Sequence, residues 1–343
     1  AVTEILSFFC GPGGMDLGCE QAGFNVALAL DRSSDAITTY NANRQGREKG
    51  KVADIAALTI PKLDKLVGGL VLPIGIVAGP PCQSFSQANH FRFDDDPRHH
   101  LTLKLARIVG RLSARSPIDF IVIENVPALA EERHRQHLDP ALAELRKAGF
   151  ELHQRVLDAS DYGVPQSRRR LFIVGLNRKS LGYRAWAWPP RRGSDTPEPT
   201  VRDAIGGLPE PVYFERGLDC SEFPVHENHW CMAPKSPKFK KAGALKPGRS
   251  GQRSFKTLQW DKPSLTVAYG HREVHIHPNC HRRLSVFEAM RLQGFPDSYA
   301  LKGTLSSQIT QVSEAVPPPL AFAIARSLTA GLRRGKADYD AAA

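Results

Sequence analysis

Long hydrophobic runs and closely spaced cysteines are both missing from this sequence of 343 residues. No apolar run approaches the roughly 20 residues that a helix needs to cross a bilayer, so we expect no transmembrane helix. The N-terminus also lacks the charged-then-apolar pattern of a signal peptide, and we therefore expect a cytoplasmic protein. The 6 cysteines include no Cys-x-x-Cys pair, which argues against a disulfide framework and favours reduced thiols.

Acidic residues are too few to balance the basic ones. Lys and Arg number 46 against 35 Asp and Glu, which gives a formal net charge of +11. This excess predicts a polyanionic partner. Between Lys235 and Lys262, Asp261 is the only acid, and the basic residues alternate with Phe239, Phe255 and Trp260. Interleaved cations and aromatic rings favour a nucleic-acid surface over the alternative, a solvated basic loop.

The first half of the chain alternates short apolar runs with helical patterns, which is typical of a parallel α/β sheet. The predicted strands are Glu4–Phe9, Asn25–Leu30, Ile74–Ala78, Phe120–Ile123 and Leu171–Val174. The predicted helices are Met15–Ala22, Ser33–Asn43, Leu101–Ala114 and Leu138–Lys147.

The second half of the chain differs in composition and in hydrophobic periodicity. Residues 186–265 are rich in Pro, Gly, Lys and Arg, which predicts irregular structure or short strands in a second domain. A helix is expected at Ser285–Leu292, stopped by the Gly and Pro that follow. Another is expected at Leu320–Leu332, after Pro317–Pro319. We expect this last helix to pack back on the first domain, which would make that domain discontinuous in sequence.

A glycine-rich loop, Phe8–Gly14, lies between the first predicted strand and helix. Glycines there let the backbone approach a ligand closely and turn into the helix, although a loop alone fits an ordinary tight turn equally well. The next strand ends at Asp31, where an acid is suited to holding ribose hydroxyls. Together they favour a nucleoside-bearing cofactor. The loop is not a phosphate-binding Gly-x-x-x-x-Gly-Lys motif, so ATP is not inferred.

Cys82 lies within the segment Gly79–Ser86, directly after an apolar strand and two prolines. Open α/β sheets bind ligands beyond the carboxyl ends of their strands, which is where this thiol is placed. A thiol near cationic groups or a helix N-terminus can become a good nucleophile. The alternative is a buried structural cysteine, and the loop position argues against it.

Charged groups follow or precede two further strands. Glu124 opens the segment Glu124–Pro127 at a strand's end, where the alternatives are a helix N-cap or an ion-pair partner. The segment Gln166–Arg170 precedes the last predicted strand and fits a solvated charge run as well. In an extended segment, however, alternation puts Arg168 and Arg170 on one face.

In their order along the chain, these motifs resemble those of bacterial DNA cytosine-5 methyltransferases over nearly the full length. Gly79–Gln83 is similar to the family's Pro-Cys motif, Glu124–Val126 to its Glu-Asn-Val motif and Gln166–Arg170 to its Gln-x-Arg-x-Arg motif. Arg283–Asp297 resembles the late motif behind the recognition region, and Gln311–Pro318 resembles the final cofactor-side motif.

The resemblance implies a fold with two parts. One is a Rossmann-like, S-adenosylmethionine-dependent methyltransferase domain of α/β class, covering residues 1–185 plus 305–343. The other is a smaller, irregular target-recognition domain, 186–304. Two departures stand out: Ser7 replaces the Asp that usually opens the first motif, and Ser313-Glu314 replaces a usual Gly-Asn. Glu314 would favour the cofactor's cationic sulfonium or amino group unless it points away.

Covalent catalysis is what the resemblance implies for the site. Cys82 thiolate would attack carbon 6 of a cytosine flipped out of duplex DNA. Glu124 would hydrogen-bond or protonate ring nitrogen 3, Arg168 would hold the exocyclic oxygen, and Arg170 would support Cys82 or Glu124. The residues implied for cofactor binding are Phe9, Gly11, Pro12, Gly13, Gly14, Asp31, Asp54, Ile55, Pro80, Leu101, Glu314 and Val316.

Duplex DNA is the implied partner. The loop Ser84–Arg98 would close over the flipped base, its alternative being a passive surface loop. The residues implied for DNA binding are Ser84, Ser86, Asn89, Arg92, Arg98, Arg249, Arg253, His271 and Arg272. We expect a monomer in the bacterial cytoplasm, associated with the nucleoid through DNA and not with a membrane. A companion restriction endonuclease would act separately, in a restriction-modification system.

Three alternatives remain open at this point. An RNA cytosine methyltransferase would share the fold, but the Cys-Phe-Thr signature of the tRNA-directed branch is absent from the sequence. A DNA-binding relative without activity would not need Cys82, Glu124 and Arg168 intact. Two groups of Cys and His (Cys220, His226, His229 and Cys231; His275, His277, Cys280 and His281) have residue types that suit zinc. Their spacings do not match common zinc modules, so we expect no metal.

Overall fold

The computed structural model describes residues 4–46, 48–81, 100–177, 186–248, 254–267 and 275–342. A seven-stranded sheet is formed by β1 (Glu4–Phe8), β2 (Asn25–Asp31), β3 (Gly50–Val52), β4 (Gly75–Ala78), β5 (Phe120–Asn125), β6 (Phe150–Asp158) and β7 (Arg169–Asn177). The strand order is β3-β2-β1-β4-β5-β7-β6, and β7 is antiparallel to both of its neighbours. The chain therefore has the Rossmann-like α/β architecture expected from the sequence.

The helices are α1 (Gly14–Gln21), α2 (Ser34–Ala42), α3 (Ile60–Val67), α4 (Leu101–Arg115), α5 (Arg135–Lys147), α6 (Val201–Ile205), α7 (Val286–Leu292), α8 (Leu305–Glu314) and α9 (Pro318–Ala342). Outside the large sheet there are two two-stranded ladders, one of β8 (Val212–Tyr213) with β9 (Trp230–Cys231) and one of β10 (Lys256–Thr257) with β11 (His275–Ile276). Among the described residues, no helix combines the length and apolarity needed to cross a membrane.

Alternating side chains of the central strands build two separate cores. In β4, Ile76 belongs to the core on one face of the sheet and Val77 to the core on the other. In β5, Ile121 and Val122 divide in the same way. Both faces are thus covered, as parallel sheets require, which explains why these strands are continuous apolar runs.

The C-terminal helix α9 packs against α1 at the N-terminus of the chain. A Cβ atom added at Gly18 of α1 would lie 2.5 Å from the backbone of Pro318 and Phe322, so the missing side chain lets the two helices approach closely. Leu320 and Ile324 of α9 join the core on that face of the sheet. The last helix therefore packs on the first half of the chain, as expected.

A third apolar cluster lies outside the sheet. It contains Trp230, Leu258 and Phe295 from the segment predicted as the recognition domain. It also contains Leu305 and Val312 of α8, which the predicted boundary at 304 and 305 assigns to the catalytic domain. Helix α8 thus shares its core with the recognition region, and the domain boundaries stay a prediction.

Candidate active site

Three neighbouring parallel strands end at the same edge of the sheet. The register aligns Phe8 of β1 with Ala78 of β4, and Ala78 with Ile123 of β5. Phe9, Gly79 and Glu124 therefore follow directly at one edge, although they are far apart in sequence. The strand order reverses between β1 and β4, and ligands of open α/β sheets bind in the crevice at such a point.

The glycine-rich loop after β1 has a backbone that most residues avoid. Phe9, Gly11 and Gly13 have φ angles of 55°, 54° and 92°. Positive φ is unusual for a bulky residue such as Phe9, and strained backbone of this kind concentrates at functional sites. The Gly11 amide donates to Asp31 Oδ2 at 2.9 Å, which ties the loop to the end of β2.

The loop is also held from the C-terminal part of the chain. A Cβ atom at Gly14 would lie 2.3 Å from the carbonyl oxygen of Val316, so only glycine fits between the loop and the segment that joins α8 to α9. Tyr299 donates its hydroxyl proton to the Pro12 carbonyl. The structure therefore brings the first and last motifs together, as their predicted shared role requires.

Asp31 and Asp54 lie at the ends of neighbouring strands. Asp31 is paired in register with Val52 of β3, and its carbonyl accepts from Ala53 N at 2.9 Å. Asp54 Oδ1 accepts from Ala56 N at 3.0 Å and caps a short 3-10 turn. Ile55 is only 2% exposed and belongs to the core below this edge, not to its open surface. Helix α4, which begins at Leu101, packs against the same turn.

Glu124 is the buried carboxyl group of the site. Arg170 Nε lies 3.1 Å from Glu124 Oε1, so the predicted ion-pair alternative is part of its environment. Burial raises the pKa of Glu124, and the positive charges of Arg170 and Arg168 oppose that rise. Arg170 was predicted to support Cys82 or Glu124, and the described residues show its contact with Glu124, while Cys82 lies outside them.

The Pro-Cys loop is fastened to the strand that carries Glu124. Asn125 Nδ2 donates to the Pro80 carbonyl at 3.3 Å, while its Oδ1 accepts from Val126 N at 2.8 Å. A Cβ atom at Gly79 would lie 3.7 Å from Glu124 Oε2. The residues leading into Cys82 are therefore next to Glu124. Cys82 itself lies outside the described residues, as do Ser84, Ser86, Asn89, Arg92 and Arg98.

Arg168 is almost completely buried, with 1% of its surface exposed. Its Nη1 donates to the Val267 carbonyl at 3.2 Å and its Nη2 to the Ser313 carbonyl at 2.8 Å. Its Nε has no hydrogen-bond partner among the described residues. Burial and the charge of Arg170 lower the pKa of Arg168, while Glu124 and Glu314 oppose that effect. The alternation predicted for this segment is observed, since the residues on either side of Arg168 are exposed.

Similarity to known proteins agrees with this geometry. The family model of C-5 cytosine-specific DNA methylases matches residues 3–330. The chain belongs to this family of cytosine-5 DNA methyltransferases. The Type II methyltransferase M.FnuDI from Fusobacterium nucleatum is 29% identical over 95% of this chain and 94% of the relative. The Type II methyltransferase M1.HphI from Haemophilus parahaemolyticus is 32% identical over 94% of this chain and 86% of the relative.

Solved structures share the fold of this methyltransferase. A prophage-encoded protein of E. coli superimposes with a TM-score of 0.78 and 24% identity, covering 96% of this chain and 99% of that chain. The S. pombe Dnmt2 methyltransferase does so with a TM-score of 0.64 and 17% identity, covering 96% of this chain and 98% of that chain. At these identities the likeness concerns the fold alone.

The sequence motifs did not assign roles to several residues that hold the predicted site residues or their loops in place. Asn125 holds the Pro-Cys loop, and an amide directly after a strand-end acid was the available signal. Asp158 Oδ1 accepts from Arg168 N at 2.9 Å, which fixes the arginine's backbone. Nothing in the local pattern around Tyr299 pointed to its contact with Pro12. Each contact joins residues from different segments of the chain, which explains why single motifs did not reveal them.

The departure at Ser313-Glu314 falls at the C-terminal end of α8. Val316 is buried against the glycine-rich loop, whereas Glu314 is exposed. Glu314 belongs to the final motif, and its charge favours the charged form of Arg168.

The basic stretch of the methyltransferase carries a pair of aromatic rings. Phe239 and Phe255 lie 5.7 Å apart, and Lys238 Nζ lies 4.6 Å from the Phe255 ring. Trp260 donates to Asn279 Oδ1 at 3.1 Å and is packed by Arg202. The other predicted DNA-binding residues, Arg249, Arg253, His271 and Arg272, lie outside the described residues.

In the part of the chain that the structure describes, no group of three or more His, Cys, Asp or Glu side chains is arranged to hold a metal ion. His229 illustrates the reason, because its ring nitrogens lie 2.9 Å from Ser285 Oγ and 2.8 Å from the Pro209 carbonyl. His226 contacts the Tyr299 carbonyl at 3.1 Å. These histidines have polar partners within the fold.

Proposed function

We propose that the methyltransferase moves a methyl group from S-adenosylmethionine to carbon 5 of a cytosine extruded from a specific duplex DNA sequence. The observation that carries this proposal is the meeting of Gly79, Glu124 and the glycine-rich loop at one edge of the sheet. A nucleophile loop, a buried acid and a nucleoside-binding loop are the parts that this reaction needs.

The residues of the glycine-rich loop fit the cofactor. Gly11, Gly13 and Gly14 leave a backbone without side chains, and Gly11 brings Asp31 beside it. Asp31 would accept from the ribose hydroxyls, as acids at this strand end do in related folds. Asp54 and Val316 border the same region, while the buried Ile55 would support it from below. S-adenosylmethionine supplies an electrophilic methyl group when bound.

Cys82 would supply the nucleophile on the base. Its thiolate forms a bond to carbon 6 of cytosine, and the ring electrons make carbon 5 nucleophilic. After carbon 5 has gained the methyl group, it loses its proton and the bond to the Cys82 sulfur breaks, which restores the ring and the free thiolate. Pro80 and Pro81 direct the chain into this position, and Asn125 holds them there.

Glu124 and Arg168 would bind the base while charge develops on it. The raised pKa of Glu124 keeps its protonated form accessible, so it can donate to ring nitrogen 3. Arg170 orients that carboxyl group. Arg168 Nε is a buried donor without a partner among the described residues, and the exocyclic oxygen of cytosine would satisfy it.

The biological setting is proposed from the relatives, which carry the names of Type II methyltransferases. We infer a restriction-modification system in which a separate endonuclease recognises the same DNA sequence. The segment 186–304 would read that sequence, and its exposed lysines would contact phosphates. The enzyme would act as a monomer on DNA in the cytoplasm.

Bisulfite sequencing of host DNA after expression of the enzyme tests the activity and gives the target sequence. Incubation with 5-fluorocytosine duplexes and cofactor then tests the nucleophile. We expect a covalent adduct with the wild type and with Cys280→Ser, and none with Cys82→Ser. Unmethylated host DNA together with no adduct on any duplex would refute the proposal. If methyl groups from labelled cofactor were transferred to tRNA and not to DNA, the protein would be an RNA cytosine methyltransferase.

A further inference from the structure

A second set of hydrogen bonds connects the recognition region to the segment that carries Arg168. Ser264 N donates to the Pro165 carbonyl at 2.9 Å, and Ser167 N donates to the Ser264 carbonyl at 2.8 Å. Thr266 Oγ1 donates to the Ser167 carbonyl at 2.9 Å. Residues 264–267, here called the docking segment, therefore run parallel to residues 165–168.

Gln166 is the centre of this contact, and its side chain is fully buried. Its Oε1 accepts from Val267 N at 2.8 Å. Its Nε2 donates to the Leu292 carbonyl at 3.1 Å and to Gln293 Oε1 at 2.5 Å. Gln293 in turn donates to the Ala315 carbonyl. One carboxamide thus uses both donors and an acceptor to join the docking segment, the end of α7 and the final motif.

Val267 is held from both sides of its backbone. Gln166 binds its N–H and Arg168 Nη1 binds its carbonyl oxygen. The position of Arg168 is therefore tied to the position of the docking segment. If the docking segment moves, Arg168 must lose a hydrogen bond in a buried environment or move with it.

We propose that Gln166 is a positioning residue that couples target recognition to catalysis. This inference rests on the proposed function. When the recognition region binds its correct DNA sequence, Val267 keeps its hydrogen bonds to Gln166 and Arg168. Arg168 is then in position to bind the base. When the recognition region binds an incorrect DNA sequence incompletely, Val267 shifts and Arg168 is misplaced. The enzyme then distinguishes correct from incorrect DNA sequences through kcat as well as through DNA affinity.

The first test uses Gln166→Leu, which keeps the volume but removes the hydrogen bonds. We expect kcat on the target duplex to fall on the order of 100-fold, because small displacements of positioned groups have effects of this size. The KM for DNA should change by less than about threefold, since the phosphate contacts that dominate affinity are untouched. The kcat ratio between the target and duplexes with one altered base pair should shrink about tenfold.

Gln308→Leu is the matched control. Gln308 is also buried, accepts from Asn228 Nδ2 and Trp230 Nε1, and donates to the Gly303 carbonyl. It makes a comparable number of hydrogen bonds without touching residues 165–168. Thermal unfolding of both variants measures the shared loss of stability. An unchanged kcat ratio in Gln166→Leu, or an equal change in Gln308→Leu, would overturn the proposal.

Gln166→Glu is the conservative variant and keeps the test decisive if Gln166→Leu does not fold. When protonated, the new carboxyl group can accept from Val267 N and donate to Gln293, whereas the ionised form has no proton to donate. The single carboxyl proton cannot replace the bond to the Leu292 carbonyl as well, so we expect the kcat ratio of this variant to approach the wild-type ratio at low pH and to shrink as pH rises. A ratio that is independent of pH contradicts the proposal. Wild-type activity on duplex DNA is the separate readout for the proposed function.

Discussion

The pKa of Glu124 is set by opposing effects. Burial raises it, and the charges of Arg170 and Arg168 work against burial. If protonated Glu124 is the catalytic form, kcat/KM stays level at low pH and falls as pH rises through this pKa. Replacing Arg170 by Gln removes the larger opposing charge. The raised pKa then rises further, and the falling limb moves to higher pH.

Profiles of kcat/KM against pH with duplex substrate measure this shift. Arg169→Gln is the control, because the neighbouring Arg169 side chain is exposed, and we expect its profile to match the wild type. Glu124→Gln should lose roughly 100-fold or more in kcat at every pH, the size expected for removing a general acid. Activity that instead rises with pH, with a rising limb that moves to higher pH in Arg170→Gln, would show that Glu124 acts in its ionised form.

Asp16 lies beneath the glycine-rich loop with no exposed surface, and its Oδ1 accepts from Ser7 Oγ at 2.7 Å. Burial raises its pKa from 3.8 to about 6, against the opposing effect of Arg44. The folded protein therefore holds this proton more tightly than the unfolded chain. The stability that follows is fully present below pH 3.8 and is lost as pH rises through about 6.

Asp16→Asn removes this dependence while its Oδ1 can still accept from Ser7. The free energy of unfolding of the variant, relative to wild type, should rise on the order of 3 kcal/mol between pH 4 and pH 7, as a shift of roughly two units implies. Urea unfolding at several pH values measures it, with Asp139→Asn at an exposed position of α5 as the control. A difference that stays constant with pH would contradict a raised pKa.

Residues at strand ends were predictable, and residues beneath or between segments were not. Asp31 and Glu124 follow apolar strands, and parallel strands place such residues at one edge. The pairing of Ser7 with Asp16 depends on how a helix packs over its own strand. The contacts of Gln166 depend on segments up to 127 residues away in sequence, and no local pattern carries that information.

At the scale of elements, the predicted apolar strands and most predicted helices were found close to their predicted bounds, whereas α9 ends at Ala342 and not at Leu332. The strand β6 and the helices α3, α6 and α8 were not predicted. β6 lies at the edge of the sheet, and its central residues Gln154 and Arg155 are polar and exposed, so its apolar pattern is weak. Helix α8 has few apolar residues because much of its buried face is made of Gln308 and Gln311. A helix whose buried face is largely polar cannot be detected from hydrophobic periodicity in the sequence.

The helix α1 begins against the chain that follows α8, and Gly14 is the point of contact. Gly14→Ala would place a Cβ atom 2.3 Å from the Val316 carbonyl oxygen, which requires backbone movement. We expect a loss of about 1 to 3 kcal/mol in stability, as for other overpacked sites. The affinity for S-adenosylmethionine should fall as well, because the glycine-rich loop would shift.

Gly69→Ala is the matched control, since Gly69 has neither a positive φ nor an atom within 4 Å of an added Cβ. Denaturant unfolding and calorimetric titration with the cofactor separate the two effects. If Gly14→Ala loses stability but binds the cofactor as wild type does, the loop is not the cofactor site. Equal stability and equal cofactor affinity of the two variants would show that close packing at Gly14 is not important for either property.

On the scale of the whole molecule, the last motif connects the two predicted domains. The final motif touches the glycine-rich loop through Val316, which follows α8, and the Arg168 side chain through Ser313, which lies in the last turn of α8. Helix α8 itself shares its core with the recognition region. A discontinuous catalytic domain was expected from the sequence, but its close union with the recognition region was not. We therefore expect residues 186–304 to be less stable when expressed without α8.

The basic residues behind the net charge of +11 are spread unevenly along the chain. Their distribution should affect how steeply DNA affinity falls with salt. Lys240 and Lys241 are exposed in the basic stretch, whereas Lys62 and Lys65 are exposed on α3, which packs against β2 and α4. Each lysine that neutralises a phosphate releases counterions, which steepens the fall of DNA affinity with salt. Lys240→Ala with Lys241→Ala should therefore flatten the plot of log affinity against log salt by up to about 1.8.

The pair Lys62→Ala with Lys65→Ala removes the same charge from the molecule and is the control. If only the overall charge mattered, both pairs would lower the affinity alike at low salt. If the basic stretch binds the phosphates, only the Lys240 and Lys241 pair flattens the salt dependence, and it weakens target and unrelated duplexes equally. Fluorescence anisotropy at a series of salt concentrations distinguishes the two cases. Equal slopes for both pairs would move the DNA-binding surface away from residues 235–262.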